Sequence, residues 1–157
     1  MEKIWQQILG KTSNGIYILT TCHKNEINGM IISWVTPISY KPPLLMAAIH
    51  PNRYSHHLIE QSGCFALHVL AQNQTDLLEN FKRSDPEERF KSIQWTTGKT
   101  GCPVLKNCVA YMECEVKESL TPGNHTLFFG EITQAQVLSN DKPMSTLDYI
   151  GIYLGKS

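Results

Sequence analysis

The sequence predicts a mainly β protein, an antiparallel barrel of six or seven strands decorated by a few short helices. Three observations predict it. Segments rich in β-branched and aromatic residues recur along the chain, joined mostly by short polar turns. Helical patterns are few and short. The 157 residues make one domain's worth of chain, without a G-x-G-x-x-G after a strand or a G-x-x-x-x-G-K-[ST] loop, which argues against a doubly wound nucleotide fold.

The elements follow in order. Gly15 to Cys22 (GIYILTTC) reads as a strand, and His23 to Gly29 as a polar turn. Met30 to Ser39 returns as its hairpin partner, with Pro37 marking an edge, a bulge or the strand's end. Tyr40 to Pro43 is a turn. Leu44 to Ile49 is a continuous apolar run, the pattern of a strand covered on both faces. Ser55 to Ser62 reads as a short helix with Ser55 as N-cap and Gly63 just past its end. Cys64 to Leu70 is a strand, and Asn73 to Phe81 a second short helix. Residues 82 to 101 read as loops with one helical turn around Pro86 to Phe90. Val109 to Ser119 alternates as a long strand with Tyr111, Glu113 and Glu115 on one face. After the turn Thr121 to Asn124, Thr126 to Leu138 pairs back, with Gly130 as a candidate bulge. No linker or repeat divides the chain, so residues 1–157 read as a single domain.

Composition narrows the function classes. Hydrophobic residues make up 41% and charged residues 18%, an ordinary globular balance. Fourteen basic residues face fourteen acidic ones, so no basic excess points to nucleic acid or an anionic membrane. The near-zero charge also puts little repulsion between copies. No apolar run is long enough for a signal peptide or a bilayer span, which predicts a cytoplasmic protein. The five cysteines (Cys22, Cys64, Cys102, Cys108, Cys114) are odd in number and lack a C-x-x-C pair. They read as buried reduced thiols, with no metal site. The even spacing of the last three is a faint zinc signal, set down to chance.

Candidate chemistry concentrates between Asn28 and Ile59. A strand ends at Ile49 and a helix starts near Ser55, so free backbone N–H groups and the helix dipole favour an anion there. Asn52, Arg53 and Ser55 add hydrogen bonds and a positive fork. A phosphate monoester suits this junction, and so does an ordinary solvated cap. Ser33 and Thr36 are hydroxyl residues in an apolar strand beside Trp34 and Val35. They suit the polar edge of a flavin ring, but by chemistry alone they better suit the wet face of a half-exposed strand, with Trp34 packed in the core. His125 follows a Gly-containing turn, at a pocket mouth or simply in solvent. The histidines show no H-x-x-H or H-E-x-x-H spacing.

Taken in series, the motifs resemble a known family. The series runs G-M-x-x-S-W-V (Gly29–Val35), S-x-x-P-P-L-L (Ser39–Leu45), N-x-x-S-H-x-L-I (Asn52–Ile59) and S-G-x-F-A-L-H-V-L (Ser62–Leu70). It continues through TGKTGCPVL (Thr97–Leu105) and GNHTLFFG (Gly123–Gly130). This order is similar to that of the flavin reductase-like, FMN-binding split-barrel proteins. The resemblance implies a split barrel and a homodimer with FMN near the subunit interface. It implies that Ser33, Trp34, Val35 and Thr36 edge the isoalloxazine. Asn52, Arg53, Tyr54 and Ser55 would hold the ribityl chain and phosphate, with Phe81 and Lys82 beside them. His125 would lie at the face open to a nicotinamide. Asn124 stands where the family often has Asp.

The activity implied is reduction of free flavin, a ferric chelate or a small redox protein by NADH or NADPH, with hydride passing through FMN N5. The alternative is an FMN electron carrier serving a separate iron–sulfur or rubredoxin-like partner.

Overall fold

The computed structural model describes residues 2–148. The tail from Tyr149 onward, loosely similar to the family's C-terminus, lies outside the described residues.

An antiparallel sheet forms the body. Its strands are β1 (Tyr17–His23), β2 (Glu26–Ile32), β3 (Val35–Tyr40), β4 (Pro43–Ile49), β5 (Cys64–Val69), β8 (Ala110–Leu120) and β9 (Thr126–Val137). A small hairpin, β6 (Trp95–Thr97) with β7 (Pro103–Leu105), packs against β1 and β5. Among the described residues four helices complete it: α1 (Glu2–Leu9), α2 (Tyr54–Ser62), α3 (Thr75–Phe81) and α4 (Pro86–Phe90).

The seven strands run in the order β2-β1-β5-β8-β9-β4-β3. The two edge strands, β2 and β3, are consecutive in sequence. Only Ser33 and Trp34 separate them, so the chain steps from one edge of the curled sheet to the other. No ladder joins β2 to β3 among the described residues, and the barrel is split at this seam. The expectation of one strand from Met30 to Ser39 is therefore corrected. The segment is two strands, one paired with β1 and the other with β4. The break is a tight turn in which the Val35 N–H donates to Ser33 O at 3.0 Å.

One face of the sheet encloses a core of Leu19, Ile32, Leu45, Ala47, Ile49, Phe65, Leu67, Cys114 and Phe128. Ile59 of α2 joins this core, and α2 packs against β1 and β2. The alternate residues face outward. Ile16, Ile18 and Leu70 pack there under Leu78, Phe81 and Phe90 of α3 and α4 and Leu105 of β7. The period-2 alternation of β1 thus feeds both cores, Leu19 entering one and Ile18 the other.

Other expectations shift by small amounts. The β6–β7 hairpin replaces part of the expected loop, because three-residue strands carry no readable pattern. Two bulges interrupt the β8–β9 ladder, at Lys117 and at Thr133, and Gly130 itself stays paired with Val116. Its lack of a side chain serves packing instead: a Cβ there would sit 2.8 Å from the Phe65 ring. Gly63 ends α2 in the left-handed conformation at φ 68° and donates to Ile59 O at 2.8 Å.

Candidate flavin site

Strand β4 ends at Ile49, and the chain turns through His50 to Arg53 into α2. The Arg53 N–H donates to His50 O at 3.0 Å, and the His56 N–H to Arg53 O at 2.9 Å. Arg53, not Ser55, is therefore the N-cap, and no side chain caps this helix end. The first-turn N–H groups and the positive end of the dipole are left for an anion.

Ser55 lies one residue inside the helix, buried, and its Oγ accepts from Asn28 Nδ2 at 2.9 Å. Asn28 sits on β2, and its Oδ1 accepts from Arg89 Nη1 at 3.0 Å. The same nitrogen donates to Gly29 O at 2.8 Å, and Arg89 Nε to Arg83 O at 2.8 Å. Burial lowers the Arg89 pKa, and the nearby Arg53 charge lowers it further. Asp85 opposes this shift, and Arg89 reaches the first turn of α2 only through Asn28 and Ser55.

Arg89 went unrecognised in the sequence. It lies 36 positions from Arg53 in a short surface helix, and only the packing of α4 on β2 brings it in.

The seam forms the second half of the site. Trp34 is 42% exposed, and its carbonyl accepts from the Ala48 N–H at 2.9 Å. The His125 ring lies 4.8 Å from the Trp34 ring and 5.1 Å, edge-on, from His50. Burial lowers the His125 pKa, with smaller contributions from His50 and Arg53, which favours the neutral imidazole. Its Nδ1 hydrogen-bonds Asn124 Oδ1 at 2.8 Å, leaving Nε2 free to accept. Ser33 is buried, Val35 half-buried and Thr36 exposed. Trp34, His50, Arg53 and His125 therefore gather on one rim, although they come from three separate parts of the sequence. His50 is a second residue that the sequence reading did not single out.

The remaining candidates lie differently. Asn52 is exposed, and its N–H donates to His50 Nδ1 at 3.2 Å. The Tyr54 hydroxyl donates to the Glu26 carboxylate. Phe81 is 4% exposed and packs edge-on against Phe90 beneath Gly29, so its ring belongs to the outer core. Lys82 pairs with Glu79 at 2.5 Å on the exposed end of α3. A cavity of about 820 Å³ lies elsewhere, between α3 and the segments 92–94, 105–108 and 138–141, and shares none of these residues.

The sequence of the chain from residue 9 to residue 153 matches the model of the flavin reductase like domain. The chain belongs to this family. It is 30% identical over 151 residues to a ferric-chelate reductase (NAD(P)H) of Archaeoglobus fulgidus, covering 94% of this chain and 89% of that one. It is 29% identical over 153 residues to HsaB, the reductase subunit of a flavin-dependent monooxygenase of Mycobacterium tuberculosis, covering 98% and 81%. Among solved structures it is similar to nitrilotriacetate monooxygenase component B of Mycobacterium thermoresistibile. That match has a TM-score of 0.85 at 25% identity and covers 92% of this chain and 81% of that one. Membership makes the chain an oxidoreductase of flavin reductase type with a split-barrel fold. No helix among the described residues is long and apolar enough to cross a membrane.

Proposed function

We propose that this flavin reductase-like chain binds FMN and uses NADH or NADPH to reduce it, passing the electrons to free flavin, a ferric chelate or a small redox partner. The observation that carries the reading is the N-terminus of α2, which no side chain caps, with Arg53 at the cap and Arg89 linked to the first turn through Asn28 and Ser55. A phosphate monoester would bring negative charge to this helix N-terminus and its two arginines, which fits FMN better than unphosphorylated riboflavin. FMN, when bound, supplies the redox chemistry by accepting a hydride and releasing electrons.

The chain's own residues bind and orient. Arg53, Asn52, Tyr54 and the α2 N–H groups take the phosphate and ribityl end, with Arg89 completing the positive pocket. Ser33, Trp34, Val35 and Thr36 run along the ring edge. His125 stands beside Trp34, its Nδ1 engaged by Asn124 and its Nε2 open to a donor on the nicotinamide side. In this reading Phe81 and Lys82 serve from behind, Phe81 by packing under Gly29. The names of the relatives support both a nicotinamide donor and a separate acceptor.

The reading includes a homodimer with FMN near the interface. It is supported by the exposed apolar side chains of the seam and β3, Trp34, Ile38 and Tyr40, the last 96% exposed. Titration of the purified protein with FMN, followed by flavin fluorescence and sedimentation, tests binding and dimerisation together. The reading expects one FMN per chain and a two-chain species. No FMN binding at tens of micromolar would end it.

A further inference from the structure

Three thiols distant in sequence meet on the outer face of the barrel, away from the flavin rim. Cys22 ends β1, and Cys64 begins β5. The β1–β5 register runs to Thr20 opposite Ala66, and continued by two residues it sets Cys22 opposite Cys64. Thr20 on the same face donates to Pro103 O at 2.5 Å, which holds the β6–β7 hairpin over this pair. The loop of that hairpin delivers Cys102. Its Sγ lies 3.5 Å from Cys64 Sγ and 4.0 Å from Cys22 Sγ, and all three sulfurs fall within 4.8 Å of one another.

The loop is fixed rather than draped. Thr100 donates through its N–H and Oγ1 to Glu113 Oε1 at 2.8 and 2.7 Å. The Gly98 N–H donates to Cys102 O at 2.9 Å. Gly101, at φ +88°, passes so close to Cys22 that a Cβ would stand 3.3 Å from its sulfur. A triangle of sulfurs is thus held by two strands and a pinned loop before any ligand arrives.

We propose that Cys22, Cys64 and Cys102 form a three-thiolate site for a soft divalent cation of the zinc class, with water as fourth ligand. Zinc–sulfur bonds of about 2.3 Å at tetrahedral angles put sulfurs about 3.8 Å apart. Two of the three sulfur separations, 3.5 and 4.0 Å, bracket that value, and the third lies within 4.8 Å. The donor set is purely sulfur, which selects thiophilic metals over magnesium or calcium. Charge favours a divalent ion. Three thiolates and M²⁺ leave one net negative charge, whereas a monovalent ion leaves two beside Glu113. Binding releases the thiol protons to solvent: Zn²⁺ + 3 RSH + H₂O gives [Zn(SR)₃(OH₂)]⁻ + 3 H⁺. Cys22 is only half-buried, so it gives the ion and the water a way in. The site is independent of FMN.

The test uses the full chain, reduced and metal-free. Zinc chloride is titrated against a chromophoric chelator, and cobalt chloride follows as a spectroscopic probe. The proposal expects one zinc per chain and a cobalt complex with sulfur charge-transfer and tetrahedral visible bands. Cys22→Ala, at the half-buried position, and Cys102→Ser weaken binding by roughly tenfold or more and abolish the cobalt bands. Cys108→Ala, outside the triangle, leaves both intact. Melting of each metal-free variant checks that it is folded. Binding that survives Cys22→Ala in folded protein overturns the proposal. So does a reduced wild-type protein that takes up no zinc. Purified protein found with a Cys64–Cys102 disulfide, and binding no metal after reduction, also overturns it and leaves a redox pair in its place.

Discussion

Arg53→Ala tests the phosphate anchor most sharply. Arg53 is the N-cap of α2 and stands close enough to Arg89 to lower its pKa. In the proposed complex its fork donates to a phosphate. A hydrogen bond to a charged group is worth about 1.5–3 kcal/mol. Its loss should raise the FMN dissociation constant roughly 10- to 150-fold, at about 1.4 kcal/mol per decade. Two further readouts separate an anchor from general damage. Riboflavin lacks the phosphate, so its affinity should be nearly unchanged. The ligand-free variant should stay folded, its melt showing the same single transition as wild type, because Arg53 closes α2 with no side-chain cap. Fluorescence titrations with FMN and riboflavin, plus thermal melts, give all three. An FMN affinity within twofold of wild type would refute the anchor. An equal loss for riboflavin would move Arg53 away from the phosphate.

Gly29→Ala would place a Cβ 2.3 Å from Phe81 Cε1, against a ring wedged on Phe90. Overpacking of that kind costs about 1–3 kcal/mol, read as a lower urea midpoint. His68 is wholly buried, and burial lowers its pKa to about 4. Its Nδ1 bonds Ile18 O at 3.0 Å, and its Nε2 accepts from the Leu105 N–H at 3.1 Å, so a second proton has no place. The unfolded chain therefore takes up this proton first. The stability it confers is full above about pH 6.5 and is lost as pH falls towards 4, by about 3 kcal/mol in all. Urea melts between these pH values should show that slope and His68→Gln should lack it, whereas an NMR titration of His68 near 6.5 would contradict it. His125→Ala should slow flavin reduction by nicotinamide while changing FMN affinity little, and an equal loss of both would assign His125 to flavin binding instead.

The strands were legible because their residues are branched or aromatic and their turns polar. The seam was not, since GMIISWVT continues the apolar pattern straight through the break at Ser33 and Trp34. Which edge each half joins is settled by pairing with β1 and β4, partners that no local window contains. Helix α2 was legible from Gly63, but its start fell at Arg53 because the Ser55 hydroxyl is taken by Asn28.

At the site, the Asn52–Ser55 junction was readable as a candidate anion site because a helix N-terminus shows in the local sequence. Arg89, Asn28 and His50 were not, because each arrives by tertiary packing. The cysteines show the same limit. Their even sequence spacing points to Cys102, Cys108 and Cys114, whereas space unites Cys22, Cys64 and Cys102. Cys108 and Cys114 stand apart, and burial pushes their thiols up to about 11 and about 12.

The central claim is that this flavin reductase-like chain moves electrons from a nicotinamide through FMN. Anaerobic mixing of the FMN-loaded protein with NADH, and separately with NADPH, tests it directly, with the flavin absorbance followed over time. The account predicts bleaching by at least one of the two, fast enough to sustain turnover when a ferric chelate or free flavin is added. Bound FMN that stays oxidised with both nicotinamides, yet is reduced by an iron–sulfur or rubredoxin-like protein, would contradict it and make the chain an electron carrier.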